Sequence, residues 1–165
     1  MRINKYFIFD TSSLISAYLL AGSASSRALN LARKNGAIAT TTFLFNEFAK
    51  SYRHYRFEKY LPLSKRNLAI NIIKSQISFF PVKEASVYQH PATDQLLELA
   101  IAADASCIVT ENKDLLALNS YENVPIITPE QFLIYFSEFS DPHLLNEPID
   151  PYVFNRTRSH NLFQF

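Results

Sequence analysis

Five short apolar runs, set among longer stretches of helical periodicity, constrain this chain more than any other feature. "YFIF" (6–9), "AIAT" (37–40), "SFFPV" (78–82), "SCIVT" (106–110) and "VPII" (124–127) read as strands. Helical patterns run near 12–20, 24–34, 43–57, 64–77, 93–104 and 129–136. Strands alternating with helices imply an α/β fold with a parallel sheet covered on both faces. With only 2 Gly in 165 residues, neither a P-loop nor a G-x-G-x-x-G turn can form. Phosphate handling by a glycine cradle is excluded.

The composition supports one packed domain with room for an appendage. At 48% hydrophobic, with 14 Phe and 9 Tyr, the chain has ample material for a core. The single cysteine, Cys107, excludes a disulfide framework and a Cys-rich zinc site. Its setting in "SCIVT" reads as a buried, inert thiol. There is no long apolar leader, and no stretch approaches the ~18 apolar residues a membrane span needs. The expectation is a soluble, cytoplasmic protein with no membrane partner. The formal net charge of +1 hides an asymmetry. Lys50, Arg53, Arg56, Lys59, Lys65 and Arg66 face one acid, Glu58, so residues 50–66 carry 6 − 1 = +5 and the remainder 1 − 5 = −4. Such a segment either holds phosphates or is the solvated face of a helix.

In an open parallel sheet, ligands bind outside the carboxyl ends of the strands. Acids recur there. Asp10 closes the first run in "FIFDTSSL", and reads either as a helix cap or as a metal ligand. Glu47 follows "AIAT", on the flank of an apolar helical stripe of Leu44, Phe45, Phe48, Ala49, Tyr52 and Tyr55. Alternatively it pairs on the surface with Lys50 or Ser51. Asp94 opens a largely apolar helix whose polar strip also holds Gln95 and Glu98. Thr93 or Asp94 could simply cap that helix. Asp114 follows "SCIVT" with Glu111 and Asn112, and Asn112 or Asp114 could start a short helix. Asp104 reads as a turn residue. Crowded carboxylates raise one another's pKa unless a cation sits among them. Mg²⁺ or Mn²⁺, which prefer hard oxygen ligands, suit such a set. The four histidines (His54, His90, His143, His160) are too scattered to suggest a nucleophilic triad.

These stretches together carry a resemblance. "FIFDTSSL", "FNEF", "TDQLLELAIAADASCIVTENKDLLAL" and "VPIITPEQFL" resemble the PIN-domain nucleases, most closely the bacterial toxin components of toxin–antitoxin pairs of the VapC type. The likeness spans about residues 4–136. It implies a three-layer α/β/α sandwich with a central parallel sheet, four acids around Mg²⁺ or Mn²⁺, and cleavage of RNA. Carried over by position, Asp10, Glu47, Asp94 and Asp114 are the implied catalytic and metal-binding acids. Ser12 matches a small polar residue that orients the first acid, and Thr110 a hydroxyl at the floor of the site. Glu98 and Asn112 are supporting candidates. The family stretch commonly reads T-G-D-x-D-L-L, so Asn112 stands at the first of its two Asp positions. Lys50, Arg53, Arg56, Lys65 and Arg66 are the candidate RNA contacts, with Tyr52 and Tyr55 placed either to stack on bases or to fill the core.

Residues 137–165 lie beyond the resemblance. Pro142, Pro148 and Pro151 argue against a continuous helix. Tyr152, Phe154, Phe163 and Phe165 suggest an extension that packs on the core or a partner, with Arg156 and Arg158 as alternative RNA contacts. The expected protein is a metal-dependent endoribonuclease, with RNA, a small antitoxin and a second copy of itself as possible partners. The alternatives are a PIN-like module that binds RNA or protein without cutting, and an aspartyl phosphohydrolase using Asp10. Ser12 stands where the latter would need a second Asp.

Overall fold

Successive side chains of each central strand go to opposite faces, and each face carries its own core. In β1 (Tyr6–Phe9), Phe7 and Phe9 join one apolar cluster and Ile8 the other. Ile38 and Ala39 of β2 (Ala37–Thr40) divide in the same way. So do Val109 and Ile108 of β4 (Cys107–Val109), and Ile127 and Ile126 of β6 (Val124–Ile127). A strand buried on both faces needs no polar alternation, which is why these runs are continuously apolar.

The computed structural model describes residues 5–82 and 90–137. Its six-stranded sheet has the order β3-β2-β1-β4-β6-β5, with β3 at Ser78–Phe79 and β5 at Ser120–Tyr121. The pairings are parallel except that of β5 with β6, which is antiparallel. On one face α1 (Thr11–Leu19), α2 (Ala24–Asn35) and α7 (Pro129–Phe136) pack together, joined by Ala69, Ile70 and Ile73 of α4 (Leu63–Gln76). On the other, α5 (Pro91–Ala102) buries Leu96, Leu99 and Ala100. α3 (Thr42–Tyr52) gives Phe45 and Phe48 to the first core and Leu44 to the second. Helices therefore cover both faces of a mostly parallel sheet, as the alternation of runs implies.

Several boundaries differ from the sequence reading. The helical pattern over 43–57 breaks at Tyr52, and a separate 3₁₀ turn spans Tyr55–Phe57. β3 stops at Phe79 rather than residue 82, short of Pro81, which lacks the N–H a ladder needs. The short helix expected to start at Asn112 or Asp114 is α6 (Lys113–Leu116), with Asn112 as its cap, whereas the two-residue β5 has no counterpart in the sequence reading. Asp104, with φ 47°, is a turn residue as expected. The two glycines answer different needs. Gly22 has φ 79° between α1 and α2. A Cβ on Gly36 would stand 2.1 Å from the Lys5 carbonyl oxygen, so only hydrogen fits there. Cys107 is buried, and burial pushes its thiol up to about 12, which makes it inert. Among the described residues no helix is long and apolar enough to cross a membrane. Residues 138–165, and with them the proposed packing of the C-terminal extension, lie outside the described residues.

Candidate active site

β1, between β2 and β4, delivers Asp10 to the carboxyl edge of the sheet. The ladder continues one residue past the strand, since the Asp10 N–H donates to the Val109 carbonyl at 3.1 Å. The Asp10 carboxylate then turns back to cap α1, accepting from the Ser13 N–H at 2.8 Å. The Ser12 hydroxyl lies 3.1 and 3.0 Å from its two oxygens. The Thr110 hydroxyl donates to Oδ2 at 2.7 Å. Asp10 is thus the cap of α1, and the same carboxylate stands buried at the carboxyl edge of the sheet. No glycine is needed because Asp10 has the extended φ and ψ of an ordinary N-cap. Asp10 is only 8% exposed, and among the described residues no basic side chain pairs with it.

Thr110, fully buried just past β4, links two elements. While donating to Asp10, its hydroxyl accepts from the Asn112 N–H at 3.0 Å. Asn112 in turn caps α6, its Oδ1 accepting from the Asp114 N–H at 2.9 Å. Asparagine caps as well as aspartate does, so its presence here preserves the turn and changes only the charge.

A cleft of about 450 Å³ opens over this floor, lined among others by Asp10, Ser12, Leu44, Arg56, Thr93 and Asn112. Its walls are the elements that carry the other expected acids. Leu44 and Ser51, three residues before and four after Glu47, both line it, which puts half-buried Glu47 on the same side of α3. Glu47 has no ion-pair partner among the described residues, so the surface pairing with Lys50 is not present. Asp94 is half-buried in the first turn of α5, beside Thr93. It is not the cap: the helix starts at Pro91, with His90 as an N-cap that makes no side-chain bond. Asp114 is exposed in the first turn of α6, and Glu98 is half-buried further along α5. Glu47, Asp94 and Asp114 do not themselves line the cleft, and among the described residues no three Asp, Glu, His or Cys side chains gather closely enough to hold a metal ion.

Two further acids belong to this neighbourhood: Glu111, named among the strand-end acids but given no role, and Glu130, which the sequence reading does not single out. Glu111 stands directly after Thr110, and Glu130 lies in the first turn of α7. Although Glu111 is exposed, partial desolvation, then the charges of Glu130 and Asp10, raise its carboxyl above its ordinary 4.5. The crowding of negative charge anticipated from the sequence therefore falls on Glu111. Its position after β4 is the signal that brings it among the strand-end acids; Glu130 carries none.

The basic segment divides sharply. Arg66 is 1% exposed and cannot reach a ligand. It donates to the carbonyls of Tyr52, His54 and Leu61 at 2.7, 2.8 and 2.8 Å, and to Glu58 at 2.6 Å. Its reading as an RNA contact is corrected: α3 stops at Tyr52, and the guanidinium takes up the carbonyls of the segment that follows. Arg53 is exposed but donates to Asn67 on α4 at 2.8 Å. Lys50 and Lys65 are exposed, and Arg56 alone of the five lines the cleft. Tyr52 is core, stacked on Phe48, whereas Tyr55 is 82% exposed.

A family model described as PIN domain matches residues 6–114 of the 165. No curated protein and no solved structure matches the chain.

Proposed function

The chain belongs to the PIN-domain family, a family of nucleases that act on nucleic acids and generally use divalent metal ions, and from that premise we propose that it is a metal-dependent endoribonuclease hydrolysing RNA phosphodiester bonds. The observation that carries the reading is Asp10. It is a buried carboxylate with three hydrogen-bond donors and no basic partner among the described residues, at the floor of a cleft that also holds Arg56. A buried charge is costly without an opposite one. A hard divalent cation, which prefers oxygen ligands, is a counter-charge suited to such a carboxylate.

In this reading Asp10 would hold Mg²⁺ or Mn²⁺ together with Asp94 and Asp114 if their side chains turned toward it, and Glu47 would help to position a second ion or the attacking water. Such an ion, when bound, supplies Lewis acidity and charge neutralisation at the phosphodiester. Ser12 and Thr110 keep the Asp10 carboxylate in one orientation, and Arg56 holds a phosphate at the mouth of the cleft. A second reading, a PIN-like module that binds RNA or protein without cutting, is favoured by Asn112 in place of an acid and by the spacing of the four acids. The two separate in one assay. Cleavage of an RNA panel with Mg²⁺ or Mn²⁺, abolished by EDTA, supports the nuclease. Binding that survives EDTA, with no cleavage under either ion, establishes the binding module.

The resemblance to toxin components extends the proposal to a toxin–antitoxin pair. A small antitoxin would place an arginine among the carboxylates of the cleft, as a bidentate partner for Asp10. A neighbouring gene for a short partner, and co-purification of its product, test that. Sedimentation of the full chain and of one lacking residues 138–165 tests whether it forms a homodimer and whether the extension contributes. Fractionation of expressing cells tests the proposed cytoplasmic location.

A further inference from the structure

Four helices border the expected acids, and three of them are fixed at their start by a side chain. Asp10 caps α1, Thr41 caps α3 and Asn112 caps α6. α5, which carries Asp94, is different: the side chain of His90 at its N-cap makes no capping bond. A helix start without a cap depends on tertiary contacts to hold it. The inward stripe of α5 is apolar at Leu96, Leu99 and Ala100, but Gln95 beside it is only 3% exposed. A primary amide buried there costs free energy unless it is hydrogen-bonded.

The bond that Gln95 makes is to the opposite wall of the cleft. The Thr41 hydroxyl donates to Gln95 Oε1 at 3.3 Å, and accepts from the Leu44 N–H at 3.1 Å. Thr41 is buried directly past β2. Its one hydroxyl therefore joins the start of α3 to the start of α5. Thr110, directly past β4, does the same for the α6 turn and Asp10. Leu44 and Ser51 of α3, and Ala92, Thr93 and Leu96 of α5, line the cleft, so the Thr41–Gln95 bond ties its two walls together. Apolar contacts are non-directional and let a helix roll about its axis, whereas a hydrogen bond has a preferred length and angle. Successive helical residues stand about 100° apart, so a helix held at Gln95 is held at Asp94 as well.

We propose that Gln95 is a positioning residue of the cleft. Through Thr41 it sets the rotation of α5, and so the place of Asp94 relative to α3, the helix of Glu47. Gln95 itself meets neither substrate nor cation; it acts through the helix that carries Asp94. The inference rests on the nuclease reading of the same cleft and adds a residue on which the geometry of that cleft depends.

The test compares the full chain with Gln95→Met, which keeps the side chain's length and removes the amide, and with Thr41→Ser, which keeps the hydroxyl. Amide hydrogen exchange is followed by NMR in EDTA, and Mn²⁺ binding by electron paramagnetic resonance. In Gln95→Met the amides of Asp94 to Leu97 are expected to exchange about tenfold faster, while those of Leu99 to Ala102 match the parent. Mn²⁺ binding should weaken about tenfold, and kcat for RNA should fall with KM unchanged. Thr41→Ser should behave as the parent throughout. If Gln95→Met does not fold, Thr41→Val removes the same bond from the α3 side and should move the same amides. Exchange that is unchanged, or that rises uniformly along α5, would overturn the inference. The two proposals fail differently. Faster exchange confined to the start of α5, in a chain whose parent neither binds Mn²⁺ nor cuts RNA, would sink the nuclease reading alone. Metal-dependent cleavage by the parent, matched by Gln95→Met, would sink the positioning role alone.

Discussion

At the floor of the cleft a buried acid is held by three donors, and at its rim a buried base holds three carbonyls. Asp10 and Arg66 are mirror images in this respect: each is nearly inaccessible and each fixes a chain turn. They differ in what is left over. Arg66 directs its donors to the backbone and to Glu58, so its charge is used up internally. Asp10 is bonded only to uncharged donors, so among the described residues no opposite charge meets its own. Burial alone does not separate a structural charge from a functional one; the identity of the partners does.

The sharpest way to test that contrast is to remove each charge while keeping the shape. Arg66→Met should strand the carbonyls of Tyr52, His54 and Leu61, each of which costs about 1–3 kcal/mol when buried without a partner. A loss of roughly 3 kcal/mol or more is expected in urea unfolding, with Arg66→Lys recovering only part. The exposed Glu58 contributes little of this, because solvent screens its pairing. A stability like the parent's would mean the clamp is incidental.

Thr110→Val comes next. It keeps the volume but removes the hydroxyl that serves Asp10 and the Asn112 N–H together. About 1–2 kcal/mol should be lost, and cleavage should fall with it. A variant that loses neither would show that the floor does not depend on this bridge.

A smaller effect concerns Glu111, whose pKa is raised above 4.5 in the folded chain. A raised folded value means that the protonated form is favoured by folding. Its contribution is present below pH 4.5 and is lost as the pH rises through the folded value. In EDTA, Glu111→Gln should therefore unfold at slightly higher urea than the parent at neutral pH, the difference vanishing below pH 4.5. Equal midpoints throughout would mean that negative charge is not crowded there. Smallest of all in stability is Asn112→Asp. The cap on α6 survives, so urea midpoints should hardly move, while the added charge should increase cleavage at low Mn²⁺. An unchanged metal requirement would remove Asn112 from the site.

Much of this is legible in the sequence where periodicity carries it. β1, β2 and β6 stand at the residues where their apolar runs lie, because a strand buried on both faces has nothing polar to blur it. Asp10 is legible as both cap and candidate ligand, because an acid between an apolar strand and a run of small hydroxyls stands at the sheet edge and at a helix start together. What is lost is tertiary. β5 is too short to show a period. The burial of Arg66 depends on α3 ending at Tyr52, so a row of basic residues looks uniform although one of them is a core residue. Glu130 reaches the neighbourhood of Glu111 only because β6 delivers α7 beside the end of β4.

If the Asp10 carboxylate is the cation-holding acid of a nuclease, Asp10→Asn should remove the activity and leave the fold, because asparagine can still cap α1. RNA cleavage by parent and variant, at equal fold content, should be measured with Mg²⁺ or Mn²⁺. The expected result is metal-dependent cleavage by the parent and a loss of at least about a hundredfold in the variant. A folded Asp10→Asn chain that cuts RNA as fast as the parent would contradict it.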